Sequence, residues 1–292
     1  MLVVVQDLVI GDHHSMNLQN MMNKQEIHSR DLQQLVVEVA DKEIMARFLG
    51  VDVHQKTDGS LVTDADLAAQ EAIRERLQAR WPAIPLLGEE MEKSEQERVL
   101  DTGEYWCLDP LDGTTNYACG IPFFAISLAL IRDGRIVLGI VYDPVRKECF
   151  RADLGGSAYL NDEKLRLPAQ PQSLDQCVAI VDFKRLSREL TMRLAGGAPY
   201  RSQRSLGAVT LEWCWLAAGR GQLYLHGSQK PWDYAAGLLI FQEAGGEGCL
   251  MDALGSDCIS PASQVASQAA VGAAEQGLLL QWREWLDASE PD

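Results

Sequence analysis

Two aspartates three residues apart, Asp109 and Asp112, stand in the run Trp106-Cys107-Leu108-Asp109-Pro110-Leu111-Asp112-Gly113-Thr114-Thr115. Two carboxylates folded onto one side of a turn suit a hard divalent cation such as Mg²⁺, which takes oxygen ligands and keeps several of its waters. The Leu111 carbonyl can join them. Gly113 lets the main chain approach an anion, and Thr114 and Thr115 offer hydroxyl and N–H groups where a helix could begin, a usual place for phosphate. Asp, Gly, Thr and Pro are also ordinary turn residues, so the run alone is equally well read as a capped turn. Other acids sit at the ends of other expected elements. Gly88-Glu89-Glu90 follows the apolar Ile84-Pro85-Leu86-Leu87, and Asp233 stands at the start of an apolar helix.

The elements that must carry these residues are legible in outline. Trp106, Cys107 and Leu108 form a short apolar strand, which Pro110 is expected to end at Asp109. Leu32, Leu35, Val36, Val39 and Ala40 recur at helical spacing after Ser29 and Asp31. Residues 55–60 are polar, contain Asp58-Gly59 and read as a loop or hairpin tip before the strand 61–63. Asp64 and Asp66 precede a helix with Ala69, Ala72, Ile73 and Leu77 on its apolar face, ended by Pro82; Asp64 reads as its cap. Residues 124–131 and 135–142 flank Arg132-Asp133-Gly134, a hairpin signal, and 147–152 forms a third strand. Residues 155–159 begin a crossing segment, and 164–167 a short edge strand. From Val178 on, strands (178–181, near Tyr200, 222–225) alternate with helices (187–194, 207–218), which signals an α/β lobe. A helix over 232–244, ended by Gly245-Gly246, carries Asp233 in its first turn.

With 292 residues the chain can bury a large core, and its net charge of −16 argues against nucleic acid and against an anionic membrane surface. An acidic protein can still bind phosphate once cations fill a carboxylate cluster. Seven cysteines without a Cys-x-x-Cys pair read as buried or free thiols and fit a reducing cytoplasm, although an odd count leaves room for one disulfide. No signal peptide or membrane span is expected. Residues 1–28 form a poorly patterned extension in which His13-His14 reads as a solvated pair.

Gly-Glu-Glu at 88–90, Asp-Pro-Leu-Asp-Gly-Thr at 109–114 and Trp-Asp-Tyr-Ala-Ala-Gly at 232–237, in that order and preceded by Leu61-Val62-Thr63-Asp64-Ala65-Asp66, resemble the signature of the inositol monophosphatase family of Mg²⁺-dependent, lithium-sensitive phosphatases. The resemblance covers about residues 30–288. It implies an α+β or α/β chain folded as a five-layered αβαβα sandwich of the sugar-phosphatase type. An α+β lobe over 29–155 would carry most metal ligands, and an α/β lobe over 156–292 would supply Asp233 and the substrate-side loops. It further implies two or three Mg²⁺ ions. Glu89, Asp109 and the Leu111 carbonyl would hold the ion that activates water, and Asp109, Asp112 and Asp233 the second, with Glu90 joining Glu89 at a third. Asp66, bonded to the Thr114 hydroxyl, would help orient the attacking water, with Glu89 as its catalytic partner. Gly113 and Thr114 would hold the phosphate, and the segment Arg204-Ser205-Leu206-Gly207-Ala208 would face the substrate through Gly207 and Ala208, Arg204 being structural. The loop at 55–60 would close over the metals, and the chain would be a homodimer.

Specificity is less defined. Inositol-hydrolysing relatives place an acid seven positions before the motif aspartate, and here that position is His226. It could bond a substrate hydroxyl or be a plain polar loop residue. Lys230 could meet a second anionic group. The expected activity is hydrolysis of a small phosphate monoester, inositol-1-phosphate first. Fructose-1,6-bisphosphate, phosphoadenosine phosphate and histidinol phosphate are the alternatives on the same fold. A different class is also open, a protein that binds transcription machinery and whose phosphatase activity is dispensable. A nuclease using the same metal chemistry is disfavoured because the acidic balance offers nothing to track a phosphate backbone.

Overall fold

The structure, a computed structural model, describes residues 27–48, 50, 53–55, 61–259 and 265–288. Most of the loop expected at 55–60, and residues 1–26 of the N-terminal extension with its His13-His14 pair, lie outside these residues.

Two sheets and three helical layers alternate. A short antiparallel pair, β1 (Val53–Gln55) and β2 (Leu61–Thr63), leads into the main sheet. That sheet has seven strands: β3 (Leu86–Gly88), β4 (Glu104–Asp112), β5 (Ala125–Arg132), β6 (Arg135–Asp143), β7 (Glu148–Asp153), β8 (Ser157–Leu160) and β9 (Glu163–Lys164), in sequence order and antiparallel except for the parallel β3–β4 pair. The β5–β6 turn uses Asp133 and Gly134, both at positive φ, as the two-residue hairpin demands. Residues 157–160, expected to start a crossing segment, instead pair with β7, so the first sheet runs on through Lys164. The second sheet has the order β11 (Ser202–Arg204), β10 (Val178–Asp182), β12 (Leu223–Gln229), β14 (Gln268–Ala273), β13 (Glu247–Met251).

Strand side chains alternate between faces, and this sorts the cores. Trp106, Leu108, Ile126 and Leu128 pack against α1 (Gln33–Val39) and α2 (Asp64–Arg80). The opposite face, with Cys107, Ala129 and Val141, packs on α6 (Val209–Ala217) and α7 (Pro231–Glu243). These two helices are predominantly apolar and lie buried between the sheets, as such helices must. Their far side meets Ile180, Tyr224 and Ala270 of the second sheet. The outer face of that sheet is covered by α5 (Arg188–Gly197) and α8 (Gln276–Asp287) through Leu194, Leu278 and Trp282. The remaining helices are α3 (Lys93–Leu100) and the single turn α4 (Thr114–Ala118). The stack is the five-layered αβαβα sandwich. Helix α7 lies so close to β6 that a Cβ on Gly139 would stand 2.8 Å from the Ala236 backbone.

Cys249 and Cys258 form a disulfide, whereas Cys107, Cys119, Cys149, Cys177 and Cys214 are free. The pair is the one disulfide for which the odd count left room, and the other five are the thiols expected. Geometry explains the pairing: Ile259 bridges back to Leu250 and brings Cys258 beside β13. Among the described residues no helix is long and apolar enough to cross a membrane.

Candidate active site

β4 does not stop at Asp109. It continues to Asp112 with a break in register between the two acids, and Pro110 sits inside that irregularity, where a strand tolerates a residue without an N–H. Both acids are buried. The Leu111 N–H donates to Asp109 Oδ1 at 3.0 Å, and Gly113, at φ +86°, caps α4 in the left-handed region. The neighbouring turn belongs to the same edge, because the Glu89 N–H donates to the Leu108 carbonyl at 3.2 Å. The helices between the sheets deliver two more pieces. Asp233 enters in the first turn of α7 and accepts from the Lys230 N–H at 2.8 Å. Asp112 Oδ2 accepts from both the N–H and the hydroxyl of Thr210, each at 2.7 Å, at the start of α6.

Asp66 stands three residues into the cap of α2. Thr63, not Asp64, is the N-cap; Asp64 is exposed and lies 3.5 Å from His54. Asp66 Oδ2 accepts from the Thr63 N–H (2.8 Å) and hydroxyl (2.6 Å), a reciprocal capping box, and its Oδ1 lies 3.1 Å from the Thr114 hydroxyl. The same hydroxyl is 3.0 Å from the Leu111 carbonyl.

Proton affinities show how these acids act on one another. Burial pushes Asp109 well above the ordinary carboxylate range, and the charges of Glu89, Asp112, Asp233 and Asp66 add to it. Burial raises Asp112 to about 6 against the two Thr210 bonds. Asp233 rises well above its usual range through burial and Glu89, with Arg185 pulling the other way, and burial raises Asp66. The donor set is anionic and all oxygen, which fits a hard divalent cation, and mutual repulsion is what such a cation relieves. Among the described residues no three acid, histidine or cysteine side chains converge on one point as they stand, so closing them around an ion takes side-chain rotation.

A pH effect follows from these shifts. Each of these acids binds protons more tightly in the folded chain, so the stability it contributes is full below pH 4 or so and is lost as pH rises through about 6 for Asp112 and about 8 for the buried Glu212 of α6. Chelator-treated protein is expected to melt lower at pH 8.5 than at pH 5.5. Saturating Mg²⁺ should restore on the order of 5 °C, more at the higher pH because it binds the deprotonated ligands. Melting curves with EDTA and with Mg²⁺ at both pH values check this; a metal-free melting temperature that rises with pH would contradict it.

The expected substrate contacts have these partners within the fold. His226 is a strand residue, 3 % exposed, rather than part of a loop. Its Nε2 lies 3.1 Å from Asp182 Oδ2 and its Nδ1 accepts from the Ser228 N–H, so neither nitrogen is left for a substrate hydroxyl. Lys230 gives its ammonium to the Val265 carbonyl at 2.9 Å. The Gly207 N–H is taken by Glu212 Oε1, while Ala208 is buried against the Gly113 turn. Arg204 is exposed. Glu90 lines a cavity of about 790 Å³ with Gln70, Arg74 and Val99, outside the carboxylate cluster. Thr210, Glu212, Asn116 and Asp182 were not singled out in the sequence, where they carry no motif.

The sequence model described as the inositol monophosphatase family matches residues 22–284. An inositol-1-monophosphatase of Rhizobium meliloti is 38 % identical over 202 residues, 67 % of this chain and 74 % of that protein. A Nus factor SuhB of Pasteurella multocida is 37 % identical over 199 residues, 66 % of this chain and 73 % of that protein. Among solved structures, the IMPase of Thermotoga maritima superposes with a TM-score of 0.74 at 29 % identity, over 88 % of this chain and 95 % of that one. The chain belongs to the inositol monophosphatase family, whose members are phosphoric monoester hydrolases.

Proposed function

We propose that the chain hydrolyses a small phosphate monoester, inositol-1-phosphate first, with Mg²⁺ held by Glu89, Asp109, the Leu111 carbonyl, Asp112 and Asp233. The observation that carries this reading is the buried set of mutually repelling carboxyl groups beside the Asp66–Thr114 pair. Held there, Mg²⁺ would supply a lowered pKa for water and positive charge against the departing oxygen. The chain supplies the rest. Thr63 fixes Asp66 through two bonds, so its second oxygen is directed at Thr114. The Thr114 hydroxyl hydrogen can serve only one acceptor at a time, Asp66 or the Leu111 carbonyl, and its lone pairs remain for an incoming water. Thr210 holds one oxygen of Asp112 and thereby fixes which way its carboxylate faces.

Relatives named inositol-1-monophosphatase support a singly phosphorylated substrate first; Lys230 spends one of its three donors on the Val265 carbonyl and keeps its charge, so a second anionic group has to be tested beside it. We also propose lithium sensitivity, a homodimer and a cytoplasmic setting. The five free thiols support the last, and the Cys249–Cys258 disulfide weighs against it. The test is Mg²⁺-dependent phosphate release from inositol-1-phosphate, fructose-1,6-bisphosphate, phosphoadenosine phosphate and histidinol phosphate. The first is expected to be cleaved about tenfold more efficiently than the others, a difference of about 1.4 kcal/mol in transition-state binding. The SuhB relative, nearly as similar as the phosphatase, supports a second reading as a partner of transcription machinery. No release from any of the four, with Mg²⁺ bound, would put that reading first.

A further inference from the structure

Behind residues 206–208 runs a chain of polar side chains sealed from solvent. Glu212 Oε1 accepts from the main-chain N–H groups of Leu206 and Gly207, both at 3.0 Å. Its Oε2 accepts from the Tyr224 hydroxyl at 3.4 Å, that hydroxyl accepts from Gln229 Nε2 at 2.9 Å, and Gln229 Oε1 accepts from Trp213 Nε1 at 3.2 Å. Glu212 is 2 % exposed, and Trp213, Tyr224 and Gln229 are fully buried. A carboxyl and a carboxamide in an apolar helical layer are costly unless their donors and acceptors are met, and apolar side chains of like volume would fill the same space without that cost. The network therefore does something that packing does not require.

What it grips is the segment 206–208. From the carbonyl side, Asn116 Nδ2 donates to Leu206 at 2.8 Å and to Phe123 at 2.9 Å. Gly207 sits at φ +79°, and a Cβ there would meet the Asn116 amide at 3.3 Å. A Cβ on Gly113 would meet the Ala208 Cβ at 3.0 Å and the Gly207 carbonyl at 3.4 Å. The segment is thus held at its N–H groups by Glu212, at a carbonyl by Asn116, and pressed against the turn between Asp112 and Thr114.

We infer that Glu212 is a positioning residue for substrate binding, fixing residues 206–208 as a preformed wall beside the turn at 113–114. The inference rests on the phosphatase reading. A wall already in place needs no ordering when substrate enters, so its loss should appear in KM rather than kcat. Alanine at 212 leaves two N–H groups without acceptors, whereas the carbonyl oxygen of glutamine can accept both.

Wild type, Glu212→Ala and Glu212→Gln are compared in Mg²⁺-dependent phosphate release and, with no substrate present, in hydrogen exchange of the Gly207 amide. Glu212→Ala should raise KM about tenfold with kcat within about threefold, and speed Gly207 exchange about tenfold or more; Glu212→Gln should return both to within about threefold of wild type. A folded Glu212→Ala protein with wild-type KM and wild-type exchange overturns the inference, as does a glutamine variant that behaves like alanine. Should Glu212→Ala not fold, Asn116→Ala carries the test, since it frees the Leu206 carbonyl and leaves Glu212 in place: raised KM at wild-type kcat supports the wall, and unchanged KM overturns it. An inactive wild type would overturn the phosphatase reading alone, and the exchange comparison would still decide whether Glu212 holds the segment.

Discussion

Replacing Asp112 with asparagine is expected to cut Mg²⁺-dependent phosphate release by about three orders of magnitude while the chain stays folded. The two side chains have nearly the same volume. The oxygen of asparagine can take over both Thr210 bonds, now 2.7 Å long, and its amide then replaces a charge among repelling acids. Metal-free stability should therefore hold or rise, because the substitution removes one of the buried charges whose ionisation destabilises the fold at neutral pH. Melting temperature in EDTA and phosphate release in Mg²⁺, measured on the same preparation, separate chemistry from folding. Turnover within about tenfold of wild type would remove Asp112 from the machinery, since losing a ligand of an ion that offset charge on the departing oxygen would cost far more.

Thr114→Val is the second large effect, a fall in kcat of about 10² to 10³ with little change in KM, within the usual range for a group that orients a proton transfer. The substitution is isosteric and leaves the buried Asp66 with its two Thr63 bonds, so the capping box of α2 survives. Only the 3.1 Å contact from the hydroxyl to Asp66 and the 3.0 Å contact to the Leu111 carbonyl are lost. Thr114→Ser, which restores a hydroxyl, should recover most of the rate. Steady-state kinetics of the pair decide it: a valine variant with kcat within about threefold of wild type would mean that Thr114 does not touch the reacting water.

Local chemistry was the legible part of the sequence. Asp109, Asp112 and Asp233 stand where proline, glycine and an apolar helix announce an element's end, and those signals act over a few residues. The strand that was expected to stop at Asp109 runs on because Pro110 falls in a break of the β4–β5 register, and a break of that kind depends on the partner strand. Thr210 and Glu212 give no signal in the sequence because they lie in a helix that reads as plain core, Val209–Ala217, and the groups that give them meaning are on Asp112 and on the backbone before the helix. His226 was placed by counting back from a motif. Counting finds the position but not the Asp182 beside it on the neighbouring parallel strand, which takes up the ring nitrogen.

Apolar packing on α6 and α7 joins the two sheets, and a few polar contacts between residues far apart in the chain pin that packing: Asp112 with Thr210 across 98 residues, Asn116 with Leu206 across 90, and Ser127 with Trp232 across 105. Closing loops of that length is the slow part of building a fold. A molecule whose two sheets have each formed but have not yet docked would keep nearly all its backbone hydrogen bonding and have no complete site. Activity in this chain thus gauges how completely the two sheets have docked, and a substitution that loosens these contacts can silence the protein while its far-UV signature still reads as native.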